Sequence, residues 1–268
     1  MVQSHPVLPL WCIMEKSMKT NVAIVGYGFV GKATEYLLKD SLAIDLFIHD
    51  PALGKSIDPD YWQGIDYAFI CVPTPECEET GRLDVSIAVQ EAQQLPLGCV
   101  PVIRSTVGPD QVEDFPEGTI FMPEFLRERH WKEDVDNPRI PLIIGADEEP
   151  ISLIQNMEHP KTTTYVLTPE LACMYKVARN SALAMTVAFA NELAEACAVT
   201  GVNYPDLSAL LKNDKDLANT HWDVPGPDGE FGFGGKCLPK DLSHLETLVY
   251  DDENLLAQAL YINEQRRN

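Results

Sequence analysis

The stretch Asn21-Val-Ala-Ile-Val-Gly-Tyr-Gly-Phe-Val-Gly31 decides the fold of this chain. Its β-branched beginning predicts a strand, and apolar residues continue at helical spacing from Lys32 to Lys39. Three glycines stand between them where a strand–turn–helix unit needs them. Gly26 suits the tight turn, Gly28 lets the backbone approach a pyrophosphate, and Gly31 lets the helix pack close to the strand. The amides at the start of the helix would then face the phosphates of a dinucleotide.

A second predicted strand, Ile44 to His49, ends in Asp50, 24 residues after Gly26. A carboxylate at this distance can accept hydrogen bonds from an adenosine ribose, and it repels a 2′-phosphate. We therefore expect NAD rather than NADP. The alternative for Asp50 is a solvated turn residue before Pro51.

Further strands are predicted from their apolar runs, with helical patterning between 85 and 95. They are 67–72, 100–104, 119–122 and 142–145. The pattern predicts a Rossmann-type α/β fold, a doubly wound parallel sheet with helices on both faces. Polar or turn-forming segments follow three of these strands, at 73–75, 105–107 and 123–126, where ligands of such sheets bind; each could also be only a turn.

After residue 160 the pattern becomes helical. Thr168 is a predicted N-cap with Pro169 in the first turn, and helix formers continue until Gly201 offers a stop. This alanine-rich helix is roughly 45 Å long at 1.5 Å per residue, and we expect it to form a dimer interface. Lys176 and Asn180, four residues apart, share one face of it, either in solvent or toward a pocket.

The most reactive stretch is Glu-Phe-Gly-Phe-Gly-Gly-Lys-Cys-Leu-Pro-Lys-Asp, residues 230–241. Lys236 and Lys240 place cations near Cys237, and a helix predicted to begin near Pro239 would point its N-terminal dipole there; both favour a reactive thiolate. The alternative is a glycine turn followed by a buried structural cysteine.

Composition narrows the functional classes. The formal charge is −21 and the pI about 4.5, which argues against a nucleic acid or an anionic membrane as partner. Seven cysteines without paired ligand spacing indicate neither a disulfide framework nor a zinc or other metal site, and they suit a cytoplasmic protein. No uninterrupted apolar run reaches the 18 or so residues of a bilayer span. We expect a disordered extension over 1–18, a dinucleotide-binding domain over 19–166 and a helical domain over 167–268.

Together these motifs resemble those of the UDP-glucose/GDP-mannose dehydrogenase family over residues 20–268. The most specific is the segment 232–241; the segments 104–107 and 123–128 and the pair Lys176 and Asn180 add to it. The resemblance implies oxidation of the C6 alcohol of a nucleotide-linked hexose to a carboxylate with two NAD. A covalent thiohemiacetal and then a thioester on Cys237 would hold the intermediate.

The resemblance also implies a role for each matching residue. The catalytic group comprises Cys237 as nucleophile, Lys176 and Asn180 at the oxyanion, and Asp241, Thr106 and Glu124 around the attacking water. The NAD site comprises Gly26, Tyr27, Gly28, Phe29, Val30, Gly31, Asp50, Lys55, Val72, Thr74, Thr106 and Glu128. Substrate contacts comprise Glu124, Phe125, Leu126, Arg127, Lys176, Asn180, Phe233 and Gly234.

Members of the family continue into a further domain that grips the nucleotide, which this chain is expected to lack; a separate chain could supply it. No arginine occurs between Arg179 and Arg266, so His221 or Lys215 would replace the arginine that the family often supplies across the dimer. Two alternatives remain: a two-electron β-hydroxyacid dehydrogenase acting on a smaller substrate, and a non-catalytic NAD-binding dimer.

Overall fold

The structure is a computed structural model that describes residues 19–41, 43–148, 153, 157, 161–217, 220–249 and 254–267. The predicted N-terminal extension, 1–18, lies outside the described residues.

Seven strands form one sheet within the described residues. They are β1 (Thr20–Val25), β2 (Ile44–His49), β3 (Tyr67–Ile70), β4 (Val100–Ile103), β5 (Ile120–Phe121), β6 (Leu142–Gly145) and β7 (Thr164–Leu167), in the spatial order β2-β1-β3-β4-β5-β6-β7. The reversal of order between β1 and β3 creates the crevice in which Rossmann folds bind their cofactor.

The sheet is parallel except between β5 and β6, which are antiparallel through the single pair Phe121 and Gly145. The predicted Rossmann-type parallel sheet is confirmed as a mostly parallel one, and hydrophobic patterning does not show the one antiparallel junction because it identifies strands without fixing their direction. No predicted strand corresponds to β7, because its four residues are half-buried or exposed and carry no strong apolar signal.

The helices of the described part are α1 (Phe29–Leu38), α2 (Pro59–Trp62), α3 (Ser86–Gln93), α4 (Trp131–Asp136), α5 (Pro169–Thr200), α6 (Tyr204–Asn213), α7 (Leu238–Glu246) and α8 (Leu255–Arg267). The long helix is confirmed as α5. Thr168 caps it by accepting a hydrogen bond from the Leu171 amide at 3.4 Å, and Gly201 ends it at φ 77°. Only glycine adopts that left-handed conformation at little cost.

Alternate residues of the central strands enter opposite faces of the sheet. Val22 and Ile24 pack with Phe69 in one cluster, while Val25 and Ile70 pack on the other side. This burial on both faces leaves the carboxyl ends of β1, β3 and β4 as an open edge of the sheet. The loops that follow β3 and β4 contact α7 through Ser243 and His244.

Helix α5 is long and apolar enough to cross a membrane by length and composition alone, with a best 18-residue window of mean hydropathy 1.4. The expectation that no apolar run reaches the length of a bilayer span rests on uninterrupted apolar residues, whereas polar residues interrupt the apolar sequence of α5. Lys176, Asn180 and Asn191 on this helix are nevertheless buried, and the first two bond to segments outside it. One side of α5 therefore packs as a core element of this fold.

Candidate functional site

The glycine turn after β1 leaves the start of α1 open. Gly28 caps this helix without a side-chain hydrogen bond, and no atom lies within 4 Å of the place where its Cβ would be. Gly26 has φ 85°, and a Cβ there would lie 2.9 Å from the Cys71 carbonyl oxygen. A Cβ on Gly31 would collide with the Gly26 carbonyl. The turn therefore needs glycine at two positions for its shape and leaves the third free for a ligand.

Asp50 lies beside this turn. Its Oδ2 accepts a hydrogen bond from the Tyr27 amide at 2.8 Å and its Oδ1 one from the Leu53 amide at 3.2 Å. The carboxylate is thus fixed by backbone donors, while each oxygen keeps a lone pair for another donor such as a ribose hydroxyl. The Lys55 ammonium lies 4.0 Å from the centre of the Tyr27 ring, so it adds a cation to the same edge.

The other predicted cofactor residues lie at the ends of the neighbouring strands. Thr74 is buried, Val72 and Thr106 are half-buried, and Glu128 is exposed. Ser105 Oγ donates to the Val72 carbonyl oxygen at 2.6 Å, which ties the loops after β3 and β4 together. Phe29 and Val30, in the first turn of α1, are half-buried as well.

Cys237 is exposed and stands at the N-cap of α7. The other five cysteines that the structure describes are buried or half-buried, and burial raises the pKa of Cys71 and Cys99 to about 12. The Asp241 amide donates to the Cys237 carbonyl at 3.1 Å, which closes the first turn of the helix. The alternative of a buried structural cysteine is therefore wrong for this position.

A buried polar cluster adjoins the cysteine. Asp241 is fully buried, and its Oδ2 accepts from Asn180 Nδ2 at 2.6 Å while its Oδ1 accepts from Lys240 Nζ at 2.7 Å. Lys176 is 6% exposed. Burial lowers the pKa of Lys176, and the charges of Asp241, Cys237 and Glu124 oppose that shift. An ammonium, an amide and a carboxylate are thus gathered within electrostatic range of the sulfur.

Glu124 connects this cluster with the sheet. Its backbone carbonyl accepts a hydrogen bond from Lys176 Nζ, its carboxylate pairs with Arg104, and the Leu126 amide donates to the same carboxylate. The Arg104 and Glu124 side chains are only 8% and 9% exposed. Arg104 was not predicted as a functional residue, although the segment 104–107 that contains it was singled out.

The segment after Glu124 divides into two parts. The Phe125 ring meets the Tyr175 ring edge-on at 5.6 Å between centroids, and both Phe125 and Leu126 are half-buried. Arg127 instead forms a forked pair with Asp134, with Nη2 to Oδ1 at 2.6 Å and Nε to Oδ2 at 3.0 Å. The Nε and Nη2 donors of Arg127 are therefore engaged by Asp134, which leaves the Nη1 side of the guanidinium for its predicted substrate contact.

The expected substrate contact of Phe233 is also unsupported. Its side chain is 2% exposed in a cluster with α5, and Asn263 accepts from its amide at 2.7 Å and donates to its carbonyl at 3.0 Å. We therefore assign Phe233 a packing role. Gly234 is half-buried, and a Cβ there would collide with the Arg267 guanidinium.

A second set of unpredicted contacts joins α7 to the sheet region. His244 is fully buried; its Nδ1 accepts from the Leu83 amide at 3.2 Å and its Nε2 lies 3.0 Å from Asp110 Oδ1. Ser243 Oγ donates to Glu76 at 2.8 Å. The sequence signal for these contacts is weak, because the partners are more than 130 residues apart.

Residues 170–265 match the central domain of the UDP-glucose/GDP-mannose dehydrogenase family. The chain is 30% identical over 227 residues to the UDP-glucose 6-dehydrogenase of Rickettsia felis, a match that covers 76% of this chain and 49% of the relative. The chain thus spans about half the length of the curated relatives it matches.

Two solved structures bear on the fold alone because their identity is low. A UDP-glucose dehydrogenase from Pyrobaculum islandicum aligns with TM-score 0.75 and 22% identity, over 97% of this chain and 70% of that one. The 3-hydroxyisobutyrate dehydrogenase of Mycobacterium tuberculosis aligns with TM-score 0.67 and 16% identity, over 92% and 94%.

The family match contains Lys176, Asn180 and Cys237, and the similarity to full-length relatives extends over three quarters of the chain. The chain belongs to the UDP-glucose/GDP-mannose dehydrogenase family.

Proposed function

We propose that this protein is an NAD-dependent nucleotide-sugar 6-dehydrogenase, which converts a hexose C6 alcohol to a carboxylate as in the conversion of UDP-glucose to UDP-glucuronate. The observation that carries the proposal is the exposed Cys237 next to the buried Lys176, Asn180 and Asp241. A nucleophile, oxyanion donors and a fixed carboxylate together suit a covalent oxidation of an aldehyde.

The glycine turn fits a dinucleotide. The start of α1 has no side-chain cap, and Gly28 leaves space above it, so the amides there are available to a pyrophosphate. Asp50 is held by the Tyr27 amide in reach of the turn, where it would take the ribose hydroxyls. We assign Lys55, Val72, Thr74, Thr106 and Glu128 to the remainder of the NAD site. When bound, NAD would accept the two hydrides, one from the alcohol and one from the thiohemiacetal.

Cys237 would hold the substrate covalently between two oxidations. Loss of a hydride and a proton turns the C6 alcohol into an aldehyde. The Cys237 thiolate adds to the aldehyde carbon and the carbonyl oxygen takes a proton, which gives a thiohemiacetal. Loss of a second hydride and a proton gives a thioester, and water then breaks the carbon–sulfur bond to release the carboxylate, the thiolate and two protons. One sugar, two NAD and one water yield one carboxylate, two NADH and three protons.

Lys176 and Asn180 would stabilise the oxyanion that forms at each addition. Lys176 would exchange its bond with the Glu124 carbonyl for one with the substrate oxygen. Since burial lowers its pKa, the Lys176 ammonium loses its proton more readily than an exposed lysine does. Lys176 is therefore suited to exchange a proton with that oxygen.

Asp241 holds Asn180 through the 2.6 Å hydrogen bond and contributes negative charge beside Lys176. We assign the orientation of the hydrolytic water to Asp241 and Thr106, with Glu124 in support. Glu124 is committed to Arg104, so its part is to hold the loop that meets the sugar nucleotide through Phe125 and Leu126.

We further propose a homodimer through α5. This helix exposes Leu171, Phe189 and Val199 at 52%, 56% and 84%. A second copy of the helix would cover this apolar surface. A separate chain could add further contacts to the nucleotide. Sedimentation velocity would test the dimer; a monomer at micromolar concentration would contradict it.

A two-electron β-hydroxyacid dehydrogenase is the second candidate. The fold similarity to a 3-hydroxyisobutyrate dehydrogenase, with TM-score 0.67, shows that the same architecture also occurs in an enzyme of that kind. That activity needs no thiol, and it yields one NADH per substrate. A non-catalytic NAD-binding dimer is the third reading, and it predicts NAD binding without turnover.

The test is a panel of sugar nucleotides with NAD, followed by absorbance of NADH and chromatography of the product. We expect one member of the panel to give two NADH per sugar and a uronate. One NADH per molecule with a hydroxyacid, and none with any sugar nucleotide, would favour the second candidate. NAD binding without reduction of any substrate would favour the third.

A further inference from the structure

Helix α7 is joined to two different parts of the molecule. Its N-cap is Cys237, and its first turn is joined to α5 because Asn180 Nδ2 donates to Asp241 Oδ2 at 2.6 Å. Its second half faces the loops that follow β3 and β4. The helix therefore connects the nucleophile at one end with the sheet region at the other.

The loop after β3 meets α7 through two side chains of the helix. Ser243 Oγ donates to Glu76 Oε1 at 2.8 Å, and the Leu83 amide donates to His244 Nδ1 at 3.2 Å. The packing is close, since a Cβ on Gly81 would lie 2.9 Å from Ser243 Oγ. Ser243 is 8% exposed and His244 is fully buried, so the α7 side of this contact is closed to water.

The loop after β4 meets the same part of α7. His244 Nε2 lies 3.0 Å from Asp110 Oδ1, and a Cβ on Gly108 would lie 1.8 Å from His244 Nε2. Gln111 Nε2 donates to the Leu83 carbonyl at 2.7 Å, which joins this loop to the one after β3. The two loops and the second half of α7 therefore form one hydrogen-bonded unit.

Both loops begin with residues that we assign to the NAD site. Val72 and Thr74 follow β3, and Thr106 follows β4. Ser105 Oγ donates to the Val72 carbonyl at 2.6 Å, so the starts of the two loops are tied together as well. Glu76, which contacts α7, is only two residues after Thr74. A dinucleotide bound to these residues would thus touch the same two loops that hold α7.

We propose that Ser243 and His244 are positioning residues that couple the cofactor site to Cys237. A dinucleotide on the two loops restricts their motion, and the contacts with α7 pass that restriction to the helix whose N-cap is the nucleophile. The sulfur is then fixed for attack on the aldehyde while the dinucleotide is bound. The proposal rests on the proposed function for the NAD site and for the role of Cys237.

The probe for this coupling is ADP-ribose. It has the adenosine, the pyrophosphate and the second ribose of NAD, but it lacks the nicotinamide ring that would cover the sulfur directly. The rate at which iodoacetamide alkylates Cys237 is measured on the full chain with and without saturating ADP-ribose, by mass spectrometry of the peptide that contains Cys237. The coupling is the ratio of the two rates. Isothermal titration sets the saturating concentration for each variant.

Two variants, Ser243→Ala and Glu76→Ala, break the same hydrogen bond from opposite sides. Glu76→Gln is the conservative variant, since its amide oxygen still accepts a hydrogen bond from the Ser243 hydroxyl. Thr247→Val is the matched control. It removes a hydroxyl at the C-cap of α7 whose hydrogen bond, to the His244 carbonyl at 2.7 Å, stays within the helix.

We expect ADP-ribose to slow the alkylation of wild-type Cys237 by about fivefold or more, the lower end of typical coupling between two sites. The ratio should fall to less than half of the wild-type value in Ser243→Ala and in Glu76→Ala, because α7 no longer follows the loop after β3. It should keep the wild-type value in Glu76→Gln and Thr247→Val.

An unchanged ratio in Ser243→Ala or Glu76→Ala would overturn the coupling, since ADP-ribose would then act on the sulfur by another route. An equal loss in Glu76→Gln or Thr247→Val would overturn it as well, and so would ADP-ribose binding to the wild type without any change in rate. Absence of ADP-ribose binding would instead contradict the NAD site of the proposed function, and with it the coupling. No step of the test requires turnover.

Discussion

Replacing His244 by leucine tests how α7, which begins at Cys237, is fixed to the sheet region. Leucine is close to histidine in volume, so the change leaves little cavity. It removes the acceptor of the Leu83 amide and the partner of Asp110. A buried amide without a partner costs about 1–3 kcal/mol, and the second hydrogen bond contributes about 0.5–1.5 kcal/mol. We expect a loss of roughly 1.5–4.5 kcal/mol of unfolding free energy.

Urea unfolding followed by tryptophan fluorescence at pH 7.5 measures this loss, and His244→Gln is the matched control. Glutamine offers an acceptor group and a donor group, so the loss of unfolding free energy in His244→Gln should be at most half of the loss in His244→Leu. A loss below about 0.5 kcal/mol in the leucine variant, or equal losses in both variants, would refute the role of these two hydrogen bonds.

The same variants have a pH signature. Burial lowers the pKa of His244, against the opposing effect of Asp110, while Arg82 adds to the lowering and Asp241 opposes it. The unfolded chain therefore binds more protons than the folded one below the unfolded pKa of about 6.5. Wild-type stability from this group is complete above that pH and is lost as pH falls toward the lower folded pKa. The difference in unfolding free energy between wild type and His244→Leu should accordingly be smaller at pH 5.5 than at pH 7.5. An equal difference at the two pH values would contradict the neutral form of His244.

Three further predictions concern other parts of the site. Gly31→Ala should weaken NAD binding at least tenfold in a fluorescence titration, because its Cβ collides with the Gly26 carbonyl; unchanged affinity would exclude this turn as the cofactor site. Asp241→Asn should cost about 3–5 kcal/mol in urea unfolding, since it breaks a fully buried charged network; a stable variant would mean that the network is not needed for folding. Asn263→Ala should lower the unfolding free energy by about 1–3 kcal/mol, because it leaves the Phe233 amide without an acceptor. It should also change the rate at which iodoacetamide alkylates Cys237. An unchanged rate would mean that Asn263 on α8 does not influence the loop that carries Cys237.

The parts of this fold that the sequence predicts best depend on local signals. The ends of α5 follow from Thr168 and Gly201, and β2 has the predicted bounds because its apolar run ends in Asp50. The direction of β6 against β5 depends on how the chain returns to the sheet, which periodicity does not record. The same holds for β7, whose half-exposed residues lack an apolar run.

In the candidate site, too, local sequence signals predict some residues and do not indicate those that depend on contacts with other segments. Residue type and neighbours indicate a reactive Cys237, spacing places Lys176 and Asn180 on one helix face, and the family resemblance implies the roles of that pair. The sequence does not indicate Arg104 or His244, because the groups that they contact lie on other segments of the chain. Phe233 is predicted to contact the substrate, whereas its side chain packs in the core, because a phenylalanine between glycines gives the same sequence signal in either environment.

The most direct test of the central claim is turnover by Cys237→Ser with the sugar nucleotide that the wild type oxidises. We predict that the variant binds NAD with wild-type affinity but releases no uronate at a measurable rate, because serine at this position lacks the ready thiolate that the covalent route needs. Wild-type rates of uronate formation and two NADH per sugar from Cys237→Ser would contradict the proposed mechanism.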